Sequence, residues 1–314
     1  MFLMIFLLII GIVLLYFGAE LLVKGSANLA MRCGVSALVA GLTIVAFGTS
    51  APELVVSIKA GLDGLGDIAV GNVVGSNIFN IAVILGISSI LRPIKVHLNV
   101  LRIDTPVMLA ASVFLMVVLY DLHISRMEGI FLFAGIISYI VFTIITARRA
   151  GETKVDFPVE QLIPEKKVTL GLDMIFVICG LGLLVLGSRF FVDGAVGLAR
   201  AIGVSEAVIG LTIVALGTSL PELATSVIAA IKKEEDIAIG NIIGSNIFNI
   251  LAILGVSSTI TPLDATGVGQ VSLYFMLGTA VLLLPFMRTG FVLNRIEGML
   301  LLAVYGGYMY YLWP

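Results

Sequence analysis

The chain has 314 residues, 60% of them hydrophobic and only 12% charged, with a formal net charge of −2. Soluble domains carry about 25% charged residues. With a mean hydropathy of +1.16, the composition excludes a soluble enzyme, a disordered chain and a binder of nucleic acid that relies on a basic footprint. What fits is a polytopic membrane protein.

Apolar stretches predict ten spans, near 2–23, 35–58, 68–91, 103–120, 127–147, 170–192, 204–231, 237–260, 270–287 and 291–312. Each is of the order of the about 20 residues a membrane helix needs. Their apolarity is continuous rather than alternating, which argues for helices over a barrel. The expected fold class is therefore an all-α polytopic membrane protein. The first charge is Glu20, so no basic segment precedes the first apolar run; it reads as a spanning helix, not a cleaved leader. The polar stretch between the spans near 127–147 and 170–192 holds Glu152, Lys154, Asp156, Glu160, Glu165, Lys166 and Lys167, with Pro158 and Pro164. It reads as a solvated linker. With the N-terminus outside, the 18 Lys and Arg residues divide 14 to 4 in favour of the cytoplasm. The positive-inside rule then predicts both termini outside and the linker in the cytoplasm.

Residues 41–86 and 210–255 match without a gap at an offset of 169, with 29 of 46 positions identical. The offset extends outward: Gly18 pairs with Gly187, Gly25 with Gly194, Gly34-Val35-Ser36 with Gly203-Val204-Ser205, and Arg126, Glu128 and Gly129 with Arg295, Glu297 and Gly298. The chain reads as one five-helix unit duplicated: 1–148, a cytoplasmic linker 149–168, and 169–314. Five is odd, so the second unit enters the membrane inverted. Ten helices in two inverted repeats is a transporter architecture, with the binding site expected at mid-membrane between them.

The second span of each unit carries GTS-x-PE, as Gly48-Thr49-Ser50-Ala51-Pro52-Glu53 and Gly217-Thr218-Ser219-Leu220-Pro221-Glu222. Each proline removes a backbone donor and clashes with the carbonyl four residues back, so the carbonyls of Gly48 and Gly217 are expected to be freed and those of Thr49 and Thr218 disturbed. A carbonyl freed in a bilayer needs a partner, and a cation can serve. Glu53 and Glu222 lie beside these breaks; an ionisable group at mid-membrane costs at least about 2.5–3.5 kcal/mol and marks a functional site. Helical spacing puts Thr49, Ser50, Glu53 and Ser57 roughly on one face, and Thr218, Ser219, Glu222 and Ser226 likewise. The third span carries GN-x-x-GSNIFN: Gly71, Asn72, Gly75, Ser76, Asn77 and Asn80, then Gly240, Asn241, Gly244, Ser245, Asn246 and Asn249. The glycine pairs allow close helix approach. These ligand types are all oxygen, which suits hard cations such as Ca²⁺ and Na⁺ and not zinc or copper. Two carboxylates are neutralised by one Ca²⁺ or by two Na⁺, which is an antiporter in outline.

The remaining features read more plainly. Cys33 and Cys179, far apart in apolar context, read as small buried hydrophobes. Glu20 and Arg189 occupy equivalent positions with opposite charge and read as interfacial or cross-repeat partners. Glu128 and Glu297 read as helix N-terminal charges. Tyr120, Tyr310, Tyr311 and Trp313 read as an interface belt.

At the paired GTS-x-PE and GSN-x-x-N blocks the chain resembles the calcium/cation antiporter superfamily, specifically the prokaryotic sodium/calcium exchangers, and the resemblance covers nearly all of it. The proton-coupled branch usually has GN-x-x-E at the first motif, so GTS-x-PE favours sodium coupling. The resemblance implies ten helices with four ion sites at the centre. Glu53 and Glu222 would be calcium ligands with the carbonyls of Thr49 and Thr218. Flanking sodium sites would draw on Ala46, Ser50, Ser76, Ala215, Ser219 and Ser245, and Asn80 and Asn249 would line the middle position. The first and sixth helices would slide as a unit. Some relatives, potassium-dependent ones among them, carry Asp at the position of Asn249. The expected partners are the lipid bilayer and the ions Ca²⁺ and Na⁺, with no cofactor, nucleic acid, obligate protein partner or enzymatic activity. The same fold exchanging Ca²⁺ for H⁺, and a passive cation channel, stand as alternatives.

Overall fold

The structure is a computed structural model and describes residues 1–149, 170–202 and 215–312. Of the predicted linker only Arg149 falls within them; Trp313, Gly203-Val204-Ser205 and the start of the span near 204–231 lie outside. The described residues form α1 (Phe2–Cys33), α2 (Ala37–Thr49), α3 (Ala51–Leu62), α4 (Gly66–Leu91), α5 (Val100–Asp121), α6 (Arg126–Arg149), α7 (Leu170–Ala201), a single turn Ala215–Gly217, α8 (Leu220–Ile231), α9 (Glu235–Ile260), α10 (Gln270–Arg288) and α11 (Arg295–Leu312).

Among the described residues, seven helices are long and apolar enough to cross a membrane, or eight when α2 and α3 count as one span bent by 46°. Two of the ten predicted spans are not among these. The one near 204–231 is described only from 215, and α11 is diluted by Arg295, Glu297 and four tyrosines. The structure is also not purely helical. Two-residue ladders join β1 (Ile94–Lys95) to β4 (Val292–Leu293) and β2 (His123–Ile124) to β3 (Leu263–Asp264). Each ladder ties a loop of the first half to a loop of the second, where backbone leaving a helix needs partners. Elements recur at the 169-residue offset: α3 with α8, and β1 with β3.

α1 and α7 lie side by side along their lengths and run antiparallel. A Cβ at Gly18 would stand 2.8 Å from the Leu184 nitrogen, and one at Gly187 would stand 2.8 Å from the Leu15 nitrogen. Only glycine admits backbones this close. At 1.5 Å per residue each of these 32-residue helices is about 48 Å long, longer than a hydrocarbon core of about 30 Å. Their outer faces show Phe2, Phe6, Ile9, Ile175 and Ile178, side chains suited to lipid. Cys33 and Cys179, expected to be buried, are both exposed.

The interior is α4 and α9. Every residue from 237 to 254 of α9 is buried. Gly240 and Gly244 admit α2: a Cβ at either would fall within 3 Å of the Leu38 or Leu42 carbonyl oxygen. α4 and α9 each widen into a π-helical turn that begins at Asn80 and at Asn249. Such turns occur often at functional sites. At the helix ends, Glu128 Oε2 accepts from the Ser125 nitrogen at 2.8 Å while Ser125 Oγ accepts from the Glu128 nitrogen at 3.3 Å. Glu297 and Asn294 repeat this exchange at 2.8 and 3.1 Å. Both acids are thus reciprocal N-terminal caps.

Candidate functional site

The site begins at the two breaks. Ser50 (φ −82°, ψ 7°) and Ser219 (φ −86°, ψ 6°) leave helical geometry just before α3 and α8, whose first turns hold Pro52 and Pro221. The breaks swing the serine hydroxyls away from their own helices. Ser50 Oγ donates to Glu222 Oε1 at 2.8 Å, and Ser219 Oγ donates to Glu53 Oε1 at 3.1 Å. Thr49, Ser50 and Glu53 thus all meet groups of the second half, Asn241, Glu222 and Ser219. Glu53 and Glu222 are 0% and 1% exposed, with no cation side chain bonded to either among the described residues.

Around this pair, Ser76 Oγ lies 3.1 Å from Ser219 Oγ. Thr49 Oγ1 lies 3.1 Å from Asn241 Oδ1, and Thr218 Oγ1 lies 3.5 Å from Asn72 Oδ1. Those two asparagines hold the helix beyond each break: Asn72 Nδ2 donates to Ser57 Oγ at 3.1 Å and Asn241 Nδ2 to Ser226 Oγ at 2.9 Å. A second symmetric set fixes the amides of the π turns. Asn80 Nδ2 donates to Asn246 Oδ1 and Asn249 Nδ2 to Asn77 Oδ1, both at 2.9 Å. Asn77 and Asn246 in turn bond each other's backbone carbonyls at 3.2 and 3.4 Å.

What these bonds leave over is informative. Glu53 Oε2, Glu222 Oε2, Asn80 Oδ1, Asn249 Oδ1 and Ser245 Oγ are buried and unpartnered. Buried polar atoms in folded proteins are nearly always satisfied, and these five of the eleven such atoms among the described residues sit on the duplicated motifs. Asn80 and Asn249 spend their N–H groups on neighbours, so each has an oxygen to offer a cation.

Other expected contributors are placed differently. The Ala46 carbonyl accepts the Ser50 amide at 3.1 Å. Ala215 opens the turn Ala215–Gly217. The freed Gly217 carbonyl is taken by Ser188 Oγ of α7 at 2.5 Å, whereas the position equivalent to Ser188 is Ala19. One carbonyl the motif offered to a cation is thus already used by a hydroxyl. Asn72, Asn77, Asn241 and Asn246 position the ligand-bearing elements, a role that ligand chemistry alone does not indicate and that their recurrence at the offset does signal. Ser188 carries no such signal, because it has no duplicate.

The sodium/calcium exchanger protein family matches residues 3–145 and 172–313. The chain belongs to this family. It is similar to the inner membrane protein YrbG of Escherichia coli, 43% identical over 258 residues, covering 82% of this chain and 79% of that one. It is also similar to the sodium/calcium exchanger MaX1 of Methanosarcina acetivorans, 33% identical over 339 residues and 96% of each chain. A solved structure of the sodium-calcium exchanger NCX_Mj, soaked with zero Na⁺ and Ca²⁺, superposes with a TM-score of 0.85 at 33% identity over 99% of each chain. The family is one of transporters, and the chain is a multi-pass, helical membrane antiporter of the calcium/cation superfamily.

Proposed function

We propose that this exchanger-family chain couples Na⁺ entry to Ca²⁺ extrusion across the cell membrane by alternating access. In this reading it has ten spanning helices in two inverted repeats, 1–148 and 169–314, with both termini outside and 149–168 in the cytoplasm. The observation that carries it is the pair of fully buried carboxylates, Glu53 and Glu222, each held by a serine of the opposite half and each with an unpartnered oxygen. Ca²⁺ takes about 6–8 oxygen ligands. Glu53, Glu222, Asn80 and Asn249 supply the first of these, and the Thr49 and Thr218 carbonyls complete the middle of the site. Ser50, Ser76, Ser219 and Ser245, with the Ala46 and Ala215 carbonyls, hold Na⁺ on either side. A site carrying −2 resists crossing the bilayer core, so occlusion waits for one Ca²⁺ or for Na⁺ ions of equal charge. That requirement makes flux obligatory exchange.

The experiment is ion-gradient flux in proteoliposomes with sodium, potassium and protons varied separately. Calcium movement driven by a sodium gradient at fixed pH is expected. Calcium movement driven by a pH gradient without sodium would move the assignment to calcium/proton exchange. Calcium flux without any counter-ion would make the protein a channel.

A further inference from the structure

Glu20 on α1 and Lys232, at the C-terminal end of α8, form an ion pair at 2.5 Å. The 169-residue offset maps this pair onto Arg189 of α7 and Asp63, at the C-terminal end of α3. The signs are reversed and the geometry is the same: Lys232 has φ −79°, ψ 2° and Asp63 has φ −80°, ψ 1°. Yet Arg189 and Asp63 make no ion pair in this structure, and both are exposed. The helix contacts differ in the same sense. α1 packs along α8, while α7 and α3 barely touch.

We propose that Glu20–Lys232 and Asp63–Arg189 are alternating latches. The first is closed in the state described here, and the second closes when the α1–α7 pair shifts to the opposite-facing state. α1 and α7 touch backbone to backbone at their glycines and so move together. They run antiparallel, and a shift that carries Arg189 toward Asp63 carries Glu20 away from Lys232. A charge pair formed in only one state is a differential interaction, which is what shifts a two-state equilibrium. An exposed pair biases such an equilibrium by about 1.5- to 5-fold, enough to tune the two facings without locking either. The inference rests on the alternating-access reading but not on the identity of the ions.

The test uses the full chain in proteoliposomes with Cys33→Ser and Cys179→Ser. Disulfide yield between Asp63→Cys and Arg189→Cys under a mild oxidant reports the opposite-facing state. Adding Glu20→Gln is expected to raise that yield about two- to five-fold, and the exchange Glu20→Lys with Lys232→Glu to return it to the starting level. Separately, a Glu20→Cys/Lys232→Cys disulfide is expected to stop exchange until it is reduced. A yield indifferent to Glu20→Gln, or a cross-linked Glu20→Cys/Lys232→Cys protein that exchanges at the reduced rate, overturns the latches. The yield is read without any transported ion. Reciprocal yields without sodium-driven calcium flux would therefore leave the latches standing and remove the proposed coupling ion.

Discussion

Ser50 and Glu222 belong to opposite halves of the chain, 172 residues apart, yet the hydroxyl of one donates to the carboxylate of the other at 2.8 Å. Neither half therefore owns a complete site. Each contributes a glutamate whose orientation is set by a serine at the break in the other half.

The glutamates should be indispensable. Removing one unit charge at about 4 Å from a bound cation forfeits on the order of 4 kcal/mol at an effective dielectric of 20. Glu53→Gln and Glu222→Gln should each lower calcium flux in proteoliposomes by about 100-fold or more while eluting normally on size exclusion. Near-native flux from either variant would sink the site assignment.

The serines should matter less, and equally. A hydrogen bond to a charged group contributes about 1.5–3 kcal/mol. Ser50→Ala and Ser219→Ala should each raise the half-saturating ion concentration by about tenfold or more. A strong effect of one and none of the other would mean that the exchange between halves is not functional.

Asn77 and Asn246 orient the carbonyl oxygens of Asn249 and Asn80 by accepting their N–H groups. Outer partners of metal ligands typically carry 10–100-fold in affinity. Asn77→Ala and Asn246→Ala should shift calcium half-saturation in about that range, measured by flux against calcium concentration. A purely structural role would lower the unfolding temperature and leave half-saturation in place.

Ser188 satisfies the Gly217 carbonyl freed by Pro221. Ser188→Ala leaves that buried oxygen unmade, at a cost of about 1–3 kcal/mol, and should lower the unfolding temperature in detergent. Ala19→Ser, at the equivalent position, should not raise it, because the Gly48 carbonyl, expected to be freed by Pro52, already accepts a backbone N–H.

The glycine contact between α1 and α7 gives a steric test. Gly18→Val places atoms where the Leu184 backbone already lies, and overpacking costs about 1–3 kcal/mol. Gly306→Ala, with nothing within 4 Å of the added carbon, should leave thermal unfolding unchanged.

Much of this site was legible in the residues themselves. A charged fraction of 12% marks a membrane protein because burying charge in lipid is costly. Duplication of GTS-x-PE singles out Glu53 and Glu222, and the prolines announce the breaks because their chemistry is local. Glu128 and Glu297 cap helices through partners three residues away, a separation the sequence displays. Helical spacing could group Thr49, Ser50 and Glu53 but not name their partners, because Asn241, Glu222 and Ser219 lie in the other half.

The sequence by itself determined the membrane setting, the duplication and the pair of acids, all of which follow from composition, spacing and local backbone chemistry. Only the tertiary structure decided which serine meets which glutamate, that Asn77 and Asn246 aim the oxygens of their neighbours, and that Glu20 has its partner while Arg189 does not. The physical reason is the same in each case. A repeat makes two sequences equivalent, but the two copies pack differently in this structure, and contacts between residues more than 140 positions apart are set by that packing.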